Sequence, residues 1–477
     1  MKLVHSLLAA AIAAATSPVA GAATFTVTNL NDGGAGSLRD AIALANAAAG
    51  ADSISFQAGL TGTIVLAGGE IRISDALTIN GPGANRIAVD GNDASRIFKV
   101  QRTGGLAITA TINGLTLTHG RADEGGAIFS NGDHVVVNYS VLTDNLAVNR
   151  GGALWVAEAN LTLFASQVLG NTTGSSGGGI LFSAGDLLIQ RSLVADNASQ
   201  FGGGLSALSP RVKVTIADSN FIDNSADHTG GGMYATTITA MKISGSAFVG
   251  NETGQPNGGG IYFAGVTDFG SAVNVIENST FSDNRSLHQT GRGAALAVAS
   301  GNMTLRNDTF AYNKTSPNDA AGAGAGGALW VANGATTQVT LQSTLFAGNT
   351  HGNQGALSDL LRQDGGSTST INAASTSFQT APDATTINGT SQSNLMSVDP
   401  LLEPLAIDRG GTTFVHPLPE NSPVLDHGAN PGNLTSDQRG QGYPRAASAT
   451  GNGPGVTDIG AFEFRVDRIF FGDFEQH

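Results

Sequence analysis

The densest group of side chains able to move a proton or hold a cation lies in THGRADEGG, where His119, Arg121, Asp123 and Glu124 stand within one short segment. General acid–base chemistry needs such groups converging on one reacting atom, and polysaccharide hydrolysis needs two carboxylates at a set separation. The segment, however, runs into a glycine pair, and the matching corners elsewhere carry Arg150, Ser176, Thr229 and Asn257. A position filled so variously reads as a solvated corner. Asp227-His228 falls under the same reading, and no histidine pair has zinc spacing. A second charged group, Asp437, Arg439, Arg445, Asp458 and Glu463, suits ion pairs that fix a terminal segment, with a calcium or ligand site as the alternative. No catalytic residue and no metal ligand is assigned; Ca²⁺ is the one cofactor that an acidic exported chain of this kind can use, although EF-hand and calcium-binding nonapeptide spacings are both missing.

A different chemistry is suggested by a file of aromatic residues. Phe129, Trp155, Tyr234, Tyr262 and Trp330 each follow an aliphatic residue in equivalent phrases, two of them inside identical copies of GGALWVA at 151–157 and 326–332. If the aliphatic neighbour points into a core, strand alternation turns these rings outward. Exposed rings in a row stack on sugar rings or dock a protein partner. They are the candidate ligand-binding residues.

The elements that position them follow from the repeat. Gly-Gly-(Ala/Gly)-aliphatic begins at Gly125, Gly151, Gly177, Gly202, Gly230 and Gly258, steps of 26, 26, 25, 28 and 28 residues, and recurs at Gly326, with degenerate copies at Gly293 and Gln354. A second phrase, apolar-x-x-Asn, keeps the same phase and ends at Asn145, Asn171, Asn197, Asn224, Asn251, Asn284, Asn313 and Asn349. Two phrases sharing one period mark stacked units. The aliphatic column Ile128, Leu154, Ile180, Leu205, Met233, Ile261, Leu296, Leu329 and Leu357 sits one position from the variable aromatic column, a period of two and hence strand. Short strands joined by Gly and Asn corners without hairpin signals predict a parallel β-helix. The asparagines are expected at left-handed corners, with their amides bonded as a ladder along the rod. A further column, Ser140, Ser166, Ser192, Ser219, Ser246 and Ser279, reads as an inward stack of hydroxyls, since a nucleophile is one serine beside one base rather than a file of six.

Composition bounds the partners. With 66 glycines in 477 residues, 40% hydrophobic and 13% charged side chains, the chain is folded and turn-rich. Its net charge of −14 argues against nucleic acid. It has no cysteine, so packing and hydrogen bonds must hold it together. Residues 1–22 read as a secretory signal peptide, with an apolar run from Leu7 to Ala15 ahead of Ala20-Gly21-Ala22. No other stretch is apolar enough for a membrane helix.

Both ends of a strand stack need covers. At the front, GSLRDAIALANA supplies a short capping helix, with Ser37 as N-cap, Asp40 at the third position, and Leu38, Ile42 and Ala45 on one face. SLRDAI (Ser37–Ile42), followed by the stretch Asp52–Asn92, resembles the N-terminal segment of bacterial secreted proteins with a CSLREA-type motif, in which the leading Cys is Gly36 here. The two repeat phrases resemble those of polymorphic outer-membrane proteins, and Asp399–Phe464 is similar to the segment called a choice-of-anchor Q domain. The resemblance implies an all-β, right-handed parallel β-helix, a pectate-lyase-like solenoid, that is exported to the cell surface or medium. Eight of the 14 prolines lie from Pro400 onward, which marks the same rear boundary. The expected organisation is signal peptide 1–22, front cap and first strands 23–63, rungs 64–398, Pro-rich rear cap 399–464 and tail 465–477. The 77 residues after Pro400 are too few and too Pro-rich for an outer-membrane barrel.

Functionally, the reading is a monomeric, non-catalytic exported rod acting in adhesion or in glycan or surface-protein binding, with peripheral cell-surface association. The alternative is a polysaccharide lyase or glycoside hydrolase, because such scaffolds often carry these activities. The Asn-Thr-Asp, Gly-His-Gly and Trp-x-Asp-His phrases of such enzymes are absent.

Overall fold

A computed structural model describes residues 21–265, 273–316, 326–333, 337–363, 369–382, 386–388, 393–408, 410–446 and 456–465. The signal-peptide run and most of the tail lie outside these residues. The chain winds as a right-handed parallel β-solenoid of about 12 turns. At ~4.8 Å per rung this makes a rod on the order of 60 Å long. One turn shows the plan. A first face (His134–Asn138) passes through a corner into a second (Val141–Thr143), a third (Leu146–Arg150) and a fourth (Leu154–Ala157), and the chain then re-enters the first at Leu161–Phe164. Among the described residues the first and second faces carry 13 strands each, the third 10 and the fourth 11.

The glycine pair explains itself at one such corner. Gly151 has φ +61°, a left-handed conformation that disfavours side chains. A Cβ on Gly152 would stand 2.0 Å from the carbonyl oxygen of Gly178 in the next rung. The first glycine turns the chain and the second lets the rungs touch.

Inside the rod, like side chains lie in files. The aliphatic column from Ile128 to Leu329 is fully buried and pairs residue for residue. Its last expected member is displaced. Leu357 is exposed in a short antiparallel pair with Thr350, and Leu360 pairs with Leu329 instead, because residues 352–355 turn outward first. A second file, Phe221, Phe248, Phe281, Phe310, Phe346 and Phe378, stacks ring on ring at 4.7–5.1 Å. It carries the rod through the Ser/Thr-rich stretch beyond residue 360.

The asparagine ladder forms, but not at the left-handed positions. The positive φ belongs to the residue before each asparagine, for instance Asp144 (+55°), Asp196 (+58°) and Gly250 (+66°). That residue turns the corner so that the asparagine can point inward. Asn224 uses its whole side chain: Nδ2 donates to Val194 O and Asn251 Oδ1, both at 2.9 Å, and Oδ1 accepts from Asn197 N at 3.2 Å and Nδ2 at 2.9 Å. The ladder runs unbroken from Asn145 to Asn349 and ends on Asp359, whose Oδ1 accepts from Asn349 at 2.9 Å. The serine file does the same at another corner: each hydroxyl accepts from the backbone N–H one rung back and donates to the carbonyl two residues before it, as Ser192 does with Ser166 N and Gln190 O. Asp308 continues this file, wholly buried, accepting from Ser279 N and Arg306 N.

At the front, helix α1 (Leu38–Ala47) buries Leu38, Ala41, Ile42 and Ala45 against the first rungs, and Ser37 accepts from Asp40 N at the N-cap. Arg39 ties α1 down, bonding Asp32 and the carbonyls of Gly69 and Glu70. Gly36 has φ +79°, and a Cβ there would lie 2.2 Å from Thr28 Oγ1, so this chain has no room for a larger residue at that position.

The proline-rich segment does not sit over the rear end. It returns as a strap along the second face, bonded to rungs from Asn220 to Ser343 through Thr412 O, Gln438, Ala429 and Gly460. Its apolar contacts join Val415, Leu418, Val424, Ile459 and Phe462 to Leu345. His416 bridges the two layers, Nδ1 donating to Glu403 O and Nε2 accepting from Ser282 Oγ, both at 2.9 Å. The five charged residues noted in the sequence form the interior of the strap. Arg439 donates to Asp437 and Asp408 and lies between the rings of Tyr443 and Phe462 at 4.0 and 3.8 Å. Arg445 is fully buried 3.8 Å from Glu463, and both oxygens of Asp458 accept backbone N–H groups.

Two predictions follow from the buried files. Asn224→Ala strands several polar groups in a dry interior and should cost at least about 3 kcal/mol, read as a fall in the urea midpoint; a loss of under about 0.5 kcal/mol, as for a surface change, would show that the ladder does not hold the rungs. Burial pushes the Asp359 carboxyl up to about 6 from the ordinary 3.8. The folded chain thus favours the protonated form, and this stabilisation is fully present below 3.8 and lost as pH rises through about 6. Between about pH 4 and 6 the native chain should lose stability relative to Asp359→Asn; a difference that stays constant across that range would contradict the assignment.

Candidate functional site: an aromatic groove on the fourth face

The five candidate rings do lie in one outward column. Phe129 pairs with Trp155, Trp155 with Leu181, Ser206 with Tyr234, Tyr234 with Tyr262, and Ala297 with Trp330. Their exposure differs from the simple expectation. Trp155 and Trp330 are only 9% and 6% exposed, whereas Phe129, Tyr234 and Tyr262 are half-buried. The difference arises from the side chains that flank the column as the side of a shallow groove: Phe129 stacks on Trp155, which also packs with Ala157 and Leu181, and Arg292 lies over Trp330.

One wall of that groove is the end of the third-face strand, at the residues just before each glycine pair. These are also in register along the rod: Glu124 with Arg150, Ser176 with Arg150 and Phe201, Phe201 with Thr229, and Asn257 with Arg292. Two of these residues reach a ring of the next rung. The Phe201 ring lies 5.3 Å from Tyr234, and the Arg292 guanidinium 5.8 Å from the Trp330 ring. The left-handed glycines press the layers together, since a Cβ on Gly293 would stand 2.8 Å from Trp330 Cβ.

Three sections of the groove differ in chemistry. At the front, Phe129 stacks on Trp155 at 4.6 Å and 11°, while Arg96 and Lys99 lie over its other side at 4.8 and 5.8 Å. Both cations share Glu70. Trp155 packs with Ala157 and Leu181, with Leu208 beside them. In the middle, Tyr234 and Tyr262 stack at 5.4 Å and 23°, with Phe201 and His228 stacked at 4.8 Å on the wall. Burial, and then the neighbouring Tyr234, raises the Tyr262 phenol above its ordinary value. At the rear, Trp330 is held by Arg292, which also donates to Gln363.

Several polar atoms of the groove have no protein partner among the described residues: the indole nitrogens of Trp155 and Trp330, Thr229 Oγ1 and Asn257 Oδ1. Buried polar atoms are rarely left unpaired. Thr229, Asn257, Phe201, Arg96 and Arg292 were not among the residues singled out as binders. Their signal is positional: each stands before a glycine pair, or beside one in the adjoining rung.

The acid–base candidates are not brought together. His119 takes a left-handed conformation and pairs with Asp90 at 3.2 Å, while Arg121 and Asp123 point to solvent from an outer strand. Asp227 is exposed, and His228 is engaged by Phe201. Among the described residues no group of three or more His, Asp or Glu is arranged to hold a metal ion.

No protein-family model matches this chain, and no curated protein matches it. Among solved structures, pectate lyase Pel9A aligns over 93% of this chain and 96% of that chain, with a TM-score of 0.42 and 12% identity. A likeness so distant says nothing about chemistry.

The burial of Trp155 yields a prediction of its own. Trp155→Ala removes a packed ring and should cost about 3 kcal/mol, with faster amide exchange over residues 154–157 and 180–183. An unchanged unfolding midpoint would mean that the ring is a free ligand contact after all.

Proposed function

We propose that the protein is an exported, non-catalytic rod that binds a surface ligand, glycan or protein, along the fourth-face groove. The observation that carries this reading is the stacked, half-exposed pair Tyr234 and Tyr262, with Phe129 half-exposed farther forward in the same column. Flat aromatic faces suit recognition by stacking, without bond cleavage. Export rests on the signal-like run before Ala23 and on the likeness of SLRDAI and the strap sequence to secreted and surface-anchored bacterial proteins. Attachment at the cell surface as a peripheral, monomeric rod accords with that likeness. No metal or cofactor enters this function.

A rigid scaffold also favours binding. The floor and wall are fixed by interior ladders, so little conformational freedom is lost when a ligand settles. Purified mature chain should bind a component of a mixed glycan and surface-protein array without releasing reducing ends or unsaturated products. Phe129→Ser should weaken binding at the front of the groove about tenfold, equivalent to ~1.4 kcal/mol. Release of product from any polymer would replace this reading with the lyase or hydrolase alternative, and absence of any bound component would remove it.

A further inference from the structure

We propose that the proline-rich strap is an acid-loosened cover: protonation of His416 breaks its bond to the rod, and the strap then lifts from the second face while the rungs beneath stay wound. This goes beyond the groove and does not depend on it, since the groove lies on another face.

The interface itself singles out His416. Other bonds between strap and rungs are made by amides, hydroxyls and backbone groups, as by Gln438 with Thr280 and Ser246 and by Asn307 with Ala429. Among the described residues His416 is the one titratable side chain bonded across the interface. Its partners fix its protonation. The Glu403 carbonyl can only accept, so Nδ1 carries the hydrogen, and Nε2 is left to accept from the Ser282 hydroxyl. A second proton, on Nε2, would set donor against donor.

Ser282 can turn its hydroxyl toward Asp283, 3.3 Å away, but that leaves an imidazolium at a position only 3% exposed. Few groups face it. From the rod come Asp283, which Lys314 already approaches to 3.9 Å, and Tyr312, whose ring meets the imidazole edge-on at 5.3 Å. From the strap come Glu403, whose side chain is exposed, and Asp399 beyond Tyr312. Burial holds the imidazole below its ordinary 6.5, against the weaker pull of the Glu403 carbonyl and Asp283. The docked strap thus favours the neutral ring, a contribution fully present above 6.5 and lost as pH falls below that value. Asp458 inside the strap and Asp308 in the rung file have the opposite sign: burial raises both carboxyls, Asp458 to about 6, so acid steadies the strap's interior and the rungs. The strap accordingly lifts as a folded unit. Lifting bares Leu345 and the strap's Val415, Leu418 and Ile459, apolar surfaces that are shut together at neutral pH.

The test is amide hydrogen exchange of the full mature chain, corrected for the intrinsic rate, at Val415 and Ile459 in the strap and at Leu205 and Met233 in the rungs. All four amides donate to backbone carbonyls. From about pH 7 to about pH 5, protection of the strap amides should fall about tenfold in the native chain. It should stay level or rise in His416→Gln, whose amide can keep both bonds without titrating. Rung amides should hold in both proteins. Ser282→Ala, which removes the rod's partner, should loosen the strap already at about pH 7 and shrink the response. The same pH profile in the native chain and His416→Gln would overturn the proposal. Parallel loss of protection in strap and rungs would also overturn it, because that is general unfolding. Should a variant fail to fold, NMR titration of the His416 ring in the native chain decides: titration below 6.5 supports the proposal, and titration at or above 6.5 overturns it.

Discussion

The structure depends on a single requirement: each turn must deliver polar groups to the interior in the register that the next turn can satisfy. Asn224 shows how strict this is, because its amide bonds one rung ahead, one rung behind and to the Val194 carbonyl at once. A shift of one residue would turn the whole set away from the core. The serine file imposes the same condition at a second corner, and the glycine pair at a third. Three corners fixed in this way leave little freedom for the strands between them. The rod is therefore held by repeated short-range satisfaction, and no disulfide is needed.

That regularity made most of the interior legible. An apolar-x-x-Asn phrase in phase with Gly-Gly-aliphatic already names two inward files and, by alternation, one outward column. The corner conformation was less legible, because a left-handed φ and an inward amide can be assigned to one residue or to neighbours. The structure divides them, with Asp196 turning and Asn197 bonding. Leu357 shows the limit of reading by phrase: a short outward turn reset the register by three residues, and Leu360 took its place. The strap was beyond sequence reasoning because its partner surface is remote in the chain. The outward second-face column gives no hint of it, since Val141 and Leu193 ahead of the strap are as apolar as Ala247 and Leu345 beneath it.

The site was legible as a column but not as a groove. Alternation places Trp155 and Tyr234 on the same side of the fourth face, yet it cannot say that the third-face strand ends close enough to wall them in. That closeness comes from glycines with no space for a Cβ, whose effect on exposure appears only once neighbouring rungs are stacked. Hence the tryptophans became packing residues while the tyrosines kept an open face.

The strap and the groove divide the surface of the rod between them. Along the first face the outward residues include Thr111, Thr162, Thr215, Thr304 and Thr340, polar and β-branched as a solvated strand requires. The second face is covered between Asn220 and Ser343 by the strap, which fills its outer surface with Val415, Leu418 and Ile459. On the fourth face Tyr234 and Tyr262 reach solvent on adjoining rungs. Because interior files are set rung by rung, the outward column can change from Phe129 to Leu181 to Ser206 to Tyr262 without disturbing any ladder bond. A scaffold whose stability resides in inward files can thus vary its binding surface residue by residue, and chemical differences among the three groove sections are the form such variation takes here.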